Sequence, residues 1–250
     1  MTGALETAGL VKRFGGLTAT DNVSIRLERG VRHALIGPNG AGKTTLINLL
    51  TGVLTPSAGR ILLEGNDITA LKPEQRVKRG LVRTFQINQL FPALTTFETL
   101  ALAVSERHGQ GGNWWRGVRA DRAVTEDVLD TARQFRLTDT LDAPTASLSY
   151  GKQRLLEIAI AIACKPRVLL LDEPAAGVTE NDRHELLKTI AELPKDVTVL
   201  LIEHDMDLVF RFAERISVLV NGAVLTEGTP EEVARDPRVR AVYLGEHAHE

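Results

Sequence analysis

Lys43 and Thr44 close the run Gly37-Pro38-Asn39-Gly40-Ala41-Gly42-Lys43-Thr44-Thr45, which fits the G-x-x-x-x-G-K-[ST] phosphate-binding pattern. A triphosphate carries several closely spaced negative charges. Holding it takes many donors at short range, so the backbone itself must approach. Gly40 and Gly42 have no side chain to block that approach. The N–H groups of the loop and the N-terminus of the helix behind it then face the phosphates. Lys43 reaches the β- and γ-phosphates, and the Thr44 hydroxyl can ligate Mg²⁺. The expected ligand is therefore a triphosphate with Mg²⁺. A chance glycine-rich turn is the competing reading, and the flanking elements argue against it.

A second group of residues supplies hydrolytic chemistry. In Arg167-Val-Leu-Leu-Leu-Asp172-Glu173-Pro174, four apolar residues end in two carboxylates. Ligands of open α/β sheets bind at the C-terminal ends of the strands. Asp172 is placed to hold Mg²⁺ directly or through water, and Glu173 to orient and polarise an attacking water. A third group is Leu148-Ser149-Tyr150-Gly151-Lys152-Gln153, ahead of a helix expected from about Arg154 to Cys164. Ser149 and Gly151 lie at that helix start, where backbone N–H groups and a hydroxyl would meet a phosphate. Taken alone, Ser149 reads better as an ordinary helix cap.

These groups need elements that point them at one place. Val31–Ile36 reads as a short buried strand entering the phosphate loop, and Leu46–Leu50 as the helix leaving it, the order the motif demands. Strands are also expected at Gly59–Glu64, Val82–Gln86, Val168–Leu171 and Val197–Ile202. The last two are continuous apolar runs that suit parallel strands covered on both faces. Pro73–Arg79 reads as a helix opening on proline. Phe97–Val104 and Val124–Phe135 carry helical spacing within a helical stretch from about Phe91. Ile216–Glu227 reads as a hairpin turning at Asn221-Gly222, with short helices after Pro230 and Pro237. Between the helical stretches lies a glycine-rich loop with Trp114 and Trp115, expected to pack on the helices beneath, with a membrane-edge or partner contact as the alternative.

At 250 residues, with 43% hydrophobic and 25% charged residues, the chain has the composition of a globular protein with a sizeable core. A net charge of −2 argues against a dedicated nucleic-acid binder. The single cysteine, Cys164, excludes an internal disulfide and is expected to be a small buried side chain. No run approaches the length needed to span a bilayer, and Met1–Glu6 lacks a secretory layout, so a cytoplasmic location is expected, with any membrane association through a partner.

With these motifs in place, the chain resembles the nucleotide-binding subunit of an ABC transporter along nearly its whole length. The resemblance implies a P-loop NTPase of α/β class, a single ABC cassette over residues 1–250. It would have a RecA-like core, an antiparallel β subdomain and a helical subdomain over about 91–165. It also implies roles for single residues. Phe14 resembles the aromatic that stacks on adenine. Gln86 resembles the loop glutamine that contacts Mg²⁺ and water and senses the membrane partner. His204 resembles the switch histidine on the γ-phosphate. Ser149 and Gly151 resemble the signature residues that clamp ATP bound to the other subunit. The chain departs from the family at Tyr150 and Lys152 within that signature, and at Thr179, where an aspartate is common.

The strings Arg13-Phe-Gly-Gly-Leu17, Val82-Arg-Thr-Phe-Gln86, Glu173-Pro-Ala-Ala-Gly177, Glu203-His-Asp-Met206 and Val242-Tyr-Leu-Gly245 resemble the ATPases of branched-chain amino acid importers. Related importers of urea, short amides and other small solutes remain alternatives. The resemblance implies ATP hydrolysis coupled to transport, membrane permeases, a second cassette subunit (identical or paralogous) and, indirectly, a solute-binding protein. It places the chain at the cytoplasmic face of the inner membrane. A soluble ABC ATPase of DNA repair or translation, and a nucleotide switch without hydrolysis, are the competing functions.

Overall fold

The computed structural model describes residues 3–84, 90–109 and 121–246. Gln86, Trp114 and Trp115 lie outside the described residues. In chain order the first elements are β1 (Leu5–Phe14), β2 (Leu17–Val23), β3 (Arg26–Leu27), β4 (Arg32–Ile36), α1 (Lys43–Thr51), β5 (Ala58–Leu63), β6 (Asn66–Asp67), α2 (Pro73–Lys78) and β7 (Leu81–Arg83). Helices α3 (Thr96–Arg107), α4 (Arg122–Gln134) and α5 (Tyr150–Ala163) follow, then β8 (Val168–Asp172), α6 (Glu180–Ala191), β9 (Thr198–Ile202) and α7 (Met206–Phe212). The chain closes with β10 (Arg215–Val220), β11 (Ala223–Gly228), α8 (Pro230–Arg235) and α9 (Pro237–Glu246).

Two compact units emerge. The first comprises residues 1–81, 167–173 and 194–250, and the second residues 82–166 and 174–193. The first unit contains an antiparallel sheet of order β2-β1-β5-β6, with β3 also on β1. It also holds the core of a sheet of order β11-β10-β4-β9-β8-β7. In the second sheet β10, β4, β9 and β8 run parallel. All five residues of β4 and of β9 are buried, as the apolar run of β9 predicts and although β4 opens with Arg32 and His33. Alternation then divides the core. Leu35 joins a cluster with α1 residues Leu46, Ile47 and Leu50, together with Leu5 and Ile61 of the antiparallel sheet. Its neighbours Ala34 and Ile36 point the other way, to Val209, Val233 and Val239.

Two buried polar side chains mark the first unit: Arg76 is satisfied by the backbone, and His33 pairs one ring nitrogen while its buried Nδ1 has no partner among the described residues. Arg76, on α2, is 1% exposed and donates to four carbonyls. Nη1 reaches Leu49 and Leu50 at 2.6 Å each, Nη2 reaches Thr69 at 2.8 Å and Nε reaches Leu71 at 3.0 Å. Leu49 and Leu50 belong to the last turn of α1, where the Leu49 carbonyl also accepts from the Gly52 N–H at 3.2 Å, and Arg76 adds a charged cap to the helix behind the phosphate loop. His33, fully buried on β4, pairs Nε2 with Ser217 Oγ at 2.7 Å, and Ser217 donates to Glu227 Oε2 at 2.8 Å. Burial pushes the imidazole pKa down to about 4 despite Glu227, with Arg215 pushing the same way.

The second unit is helical, and each helix has a side-chain stop. Thr95 and Glu98 form a capping box at α3, Asp121 caps α4, and Ser149 caps α5 by accepting from Lys152 N. The α5 helix therefore starts at Tyr150 rather than near Arg154, because the serine hydroxyl substitutes for the missing intrahelical acceptor. Cys164 is half-buried rather than buried: it is the C-cap residue of α5, where the chain turns out of the helix. Its thiol is pushed up by the burial that remains. Strand β7 ends at Arg83, earlier than the expected Gln86. At the last hairpin Asn221 and Gly222 both take positive φ, as the Asn-Gly pair requires.

Candidate active site

In the first unit the register of three parallel strands sets the site. Leu35 of β4 lies opposite Ile202 of β9, and Ile202 lies opposite Asp172 of β8. The chains that leave this row are Gly37 onward, Glu203-His204 and Glu173. All three exit at the C-terminal edge of the sheet at the same height. A cavity of about 730 Å³ opens there, lined by Gly37, Pro38 and Asn39 together with Glu173 and His204. The sheet thus brings the phosphate loop, the acidic strand tip and the histidine around one space. Its far wall is apolar, with Met206, Phe210, Val239 and Tyr243.

The loop has the shape of an anion cradle. Gly42 sits at φ 99° directly before α1, and a Cβ there would come within 2.4 Å of the Ala19 carbonyl oxygen. Both the left-handed conformation and the close approach exclude other residues. Lys43 curls into the loop, donating from Nζ to the carbonyls of Gly37 at 2.5 Å and Pro38 at 3.0 Å. No acidic residue occupies the first turn of α1, so its positive end meets no side-chain carboxylate of its own. Thr44 is exposed on that first turn, while Ala41 is buried. Gly40, Thr45 and the other loop residues complete the run predicted from sequence.

At the acidic edge Glu173 has a positive φ of 46°, an unusual conformation for a non-glycine residue, and its N–H donates to Ile202 O at 2.9 Å. That hydrogen bond to β9 holds the bend. The Glu173 Oε1 and His204 Nδ1 atoms are 3.9 Å apart, and both side chains are solvent-accessible. Glu203 was not singled out from sequence. It is 2% exposed and its Oε2 accepts from the His204 N–H at 3.2 Å, fixing the turn that presents the histidine. The only sequence signal for it is an acid directly following a fully apolar strand. Asp172 ends β8, half-buried in the same row.

Phe14 ends β1 at the Gly15-Gly16 hairpin, 46% exposed, with Lys12 Nζ 5.1 Å from its ring centroid. An exposed aromatic face is what stacking on a purine needs. The residues fit Mg²⁺-ATP by their donor set: a cradle of N–H groups, an ammonium, a hydroxyl and carboxylates. Among the described residues no group of three or more His, Cys, Asp or Glu is arranged to hold a metal by itself. Gln86, the remaining predicted ligand, lies outside the described residues.

In the second unit, Ser149 and Gly151 stand at the start of α5. Ser149 caps the helix and Gly151 is buried against α6. Tyr150, noted from sequence only as a departure, donates to the Ala176 carbonyl at 3.0 Å. Lys152 pairs with Asp139 at 2.5 Å. Thr179, the other departure, caps α6 by accepting from Asp182 N at 3.4 Å.

Residues 20–176 match the sequence profile of the ABC transporter family, and residues 223–249 match that of the branched-chain amino acid ATP-binding cassette transporter. The chain is 41% identical over 251 residues to the high-affinity branched-chain amino acid transport ATP-binding protein BraF of Pseudomonas aeruginosa, covering 97% of this chain and 98% of that protein. Among solved structures it superposes on a nucleotide-free ATP-binding cassette from an ABC transporter with TM-score 0.84 and 32% identity, over 96% of this chain and 98% of the other. An ABC transporter cassette in its ADP conformation gives TM-score 0.83 at 33% identity, over 98% of this chain and 100% of the other.

Proposed function

The chain belongs to the ATP-binding cassettes of the ABC transporter family, branched-chain amino acid type, and from that premise we propose that it hydrolyses ATP to drive solute import. The observation carrying this reading is the shared row of Leu35, Ile202 and Asp172, which aims the phosphate loop, Glu173 and His204 into one cavity.

In this reading Phe14 stacks on the adenine. The N–H groups of residues 37–45 hold the phosphates, and Lys43 leaves its loop carbonyls for the β- and γ-phosphates. Thr44, Asp172 and Gln86 would hold Mg²⁺, which when bound would supply positive charge against the phosphoryl oxygens. Glu173 accepts a hydrogen bond from the attacking water and polarises it. His204 donates to the γ-phosphate and, from beside Glu173, keeps the transferring phosphoryl group in line between the water and the departing ADP. Ser149 and Gly151 complete the site of a second cassette copy, so closure of two copies excludes water from both nucleotides. The cassettes work at the cytoplasmic face of the membrane against two permease subunits. A solute-binding protein delivers the cargo, a branched-chain or other hydrophobic amino acid. Among the described residues no helix is long and apolar enough to cross a membrane, and in this reading attachment runs through the permeases.

The test is uptake of labelled leucine in a strain deleted for this chain, complemented with the natural sequence or with Lys43→Ala. The natural sequence should restore uptake and Lys43→Ala should not. Full restoration by Lys43→Ala would remove ATP-driven transport from the reading. Restored uptake of urea or acetamide without leucine would keep the mechanism and replace the solute.

A further inference from the structure

Two neighbouring residues of α5 interlock with residues 176–182, within the second unit. The Tyr150 hydroxyl donates to the Ala176 carbonyl at 3.0 Å. The next residue, Gly177, has φ 72°, and a Cβ there would come within 2.8 Å of Tyr150 Oη and 3.2 Å of Cζ. The phenol therefore lies against a position that only glycine can fill, both for backbone and for space. Gly151 repeats the arrangement from the opposite side. A Cβ on it would meet Asp182 Cβ at 2.6 Å and Cγ at 2.7 Å, and Asp182 is held by the Thr179 hydroxyl at 3.1 Å. The Tyr150 ring is fixed in turn: the Arg154 guanidinium lies 5.6 Å from its centroid, and Arg154 is bound to Glu157 at 2.9 Å.

Along the chain, Ala176 follows Glu173 by three residues, and Ser149 precedes Tyr150. We propose that Tyr150 is a positioning residue. Its hydrogen bond to Ala176 ties the serine-bearing start of α5 to the segment 176–182, so that within the second unit the two meet the second copy's nucleotide as one piece. This rests on the reading that Ser149 and Gly151 serve the second copy's nucleotide. The tether touches no nucleotide itself. It acts when the composite site assembles, so its loss lowers kcat and leaves the grip of the phosphate loop, and with it KM, unchanged.

The experiment measures ATP turnover by the transporter reconstituted with its permeases, well below the thermal midpoint, for the natural chain, Tyr150→Phe, Ser149→Ala and their combination. Tyr150→Phe keeps the ring and removes one hydrogen bond. The expected result is a fall in kcat of about threefold to tenfold, the worth of one such bond. KM for ATP should stay unchanged, and the thermal midpoint should fall only by the small amount one hydrogen bond is worth. The double variant should lose little more than Ser149→Ala alone, because the tether acts through the serine-bearing helix start. An unchanged kcat in Tyr150→Phe, with Ser149→Ala impaired, overturns the tether alone. A raised KM in Tyr150→Phe, or multiplicative losses in the double variant, also overturns it. Full turnover by Ser149→Ala overturns the composite site and the tether with it.

Discussion

The sheet edge of the first unit and the α5–α6 corner of the second are built by different forces. At the edge, backbone hydrogen bonds between parallel strands fix the register, and residues beyond Leu35, Asp172 and Ile202 inherit their positions from it. At the corner, no ladder exists. Tyr150 and Gly151 are set against Ala176, Gly177 and Asp182 by single side-chain contacts, and Ser149 caps its own helix at Lys152 N. A site set by a ladder tolerates changes at its tips, because the frame does not depend on them. A site set by side chains shifts its geometry whenever one of them is replaced. Substitutions that separate chemistry from framework can break or sharpen this contrast.

The largest effect is expected at the sheet edge. Glu173→Gln removes a carboxylate that is exposed at the strand tip, while its N–H to Ile202 and the phosphate loop stay as they are. Turnover should fall about 10²-fold to 10⁴-fold, the usual worth of a positioned general base, with ATP binding retained. Calorimetric titration with Mg²⁺-ATP beside a phosphate-release assay separates the two. A parallel loss of binding would mean that the tip and the loop are not independent, and the contrast would fail at its stronger side.

This division also governed what could be read from the sequence. The phosphate loop, the strand before it and the acidic tip were legible because each is a local pattern with a backbone meaning: Gly42 needs a left-handed φ, and Val168–Leu171 needs cover on both faces. The Asn221-Gly222 turn was legible for the same reason. Glu203, Arg76 and the Tyr150–Ala176 bond were not. Their partners lie 1, 26 and 26 residues away without any spacing rule to connect them, and a buried arginine looks in sequence like any surface arginine. The start of α5 was placed late because Ser149 looks the same as a cap and as a phosphate contact.

Arg76 probes the frame behind the loop. Arg76→Met keeps most of the buried volume but strips donors from four carbonyls, two of them in the last turn of α1. Leaving buried acceptors unmet should cost about 3 kcal/mol of stability, read by urea denaturation. A loss below about 1 kcal/mol would show that water replaces the guanidinium and that α1 needs no such anchor.

Acid should weaken the same sheet through His33. Its folded pKa of about 4 lies below the ordinary value of 6.5, so the native state prefers the neutral ring. Unfolded chains take up a proton as pH drops below 6.5 and folded ones only near 4. The contribution is therefore complete above pH 6.5 and is lost across that window, by up to about 3 kcal/mol at 1.36 kcal/mol per pH unit. Denaturation midpoints at pH 7 and pH 4.5 test this, with His33→Gln as the comparison. An equal acid loss in His33→Gln would assign the effect to other groups.

The smallest effect belongs to the corner, and its sign is informative. Arg154 and Glu157 form an ion pair on α5 with side chains only 7% and 4% exposed. Burial raises the Glu157 pKa, and the attraction of Arg154 does not fully reverse it. The folded environment thus favours the uncharged acid relative to water. Glu157→Gln imitates that uncharged form and keeps an oxygen for the Arg154 N–H. Relief from desolvation should offset the lost attraction, leaving stability at pH 7 within about 1 kcal/mol of the natural chain. Arg154→Met, in contrast, leaves a buried carboxylate alone and removes the cation over the Tyr150 ring, so it should cost more than Glu157→Gln. If Glu157→Gln instead costs about 2 kcal/mol or more by the rule that broken buried pairs are expensive, the pair is a net anchor. The corner would then have a framework of its own beneath the Tyr150 contact.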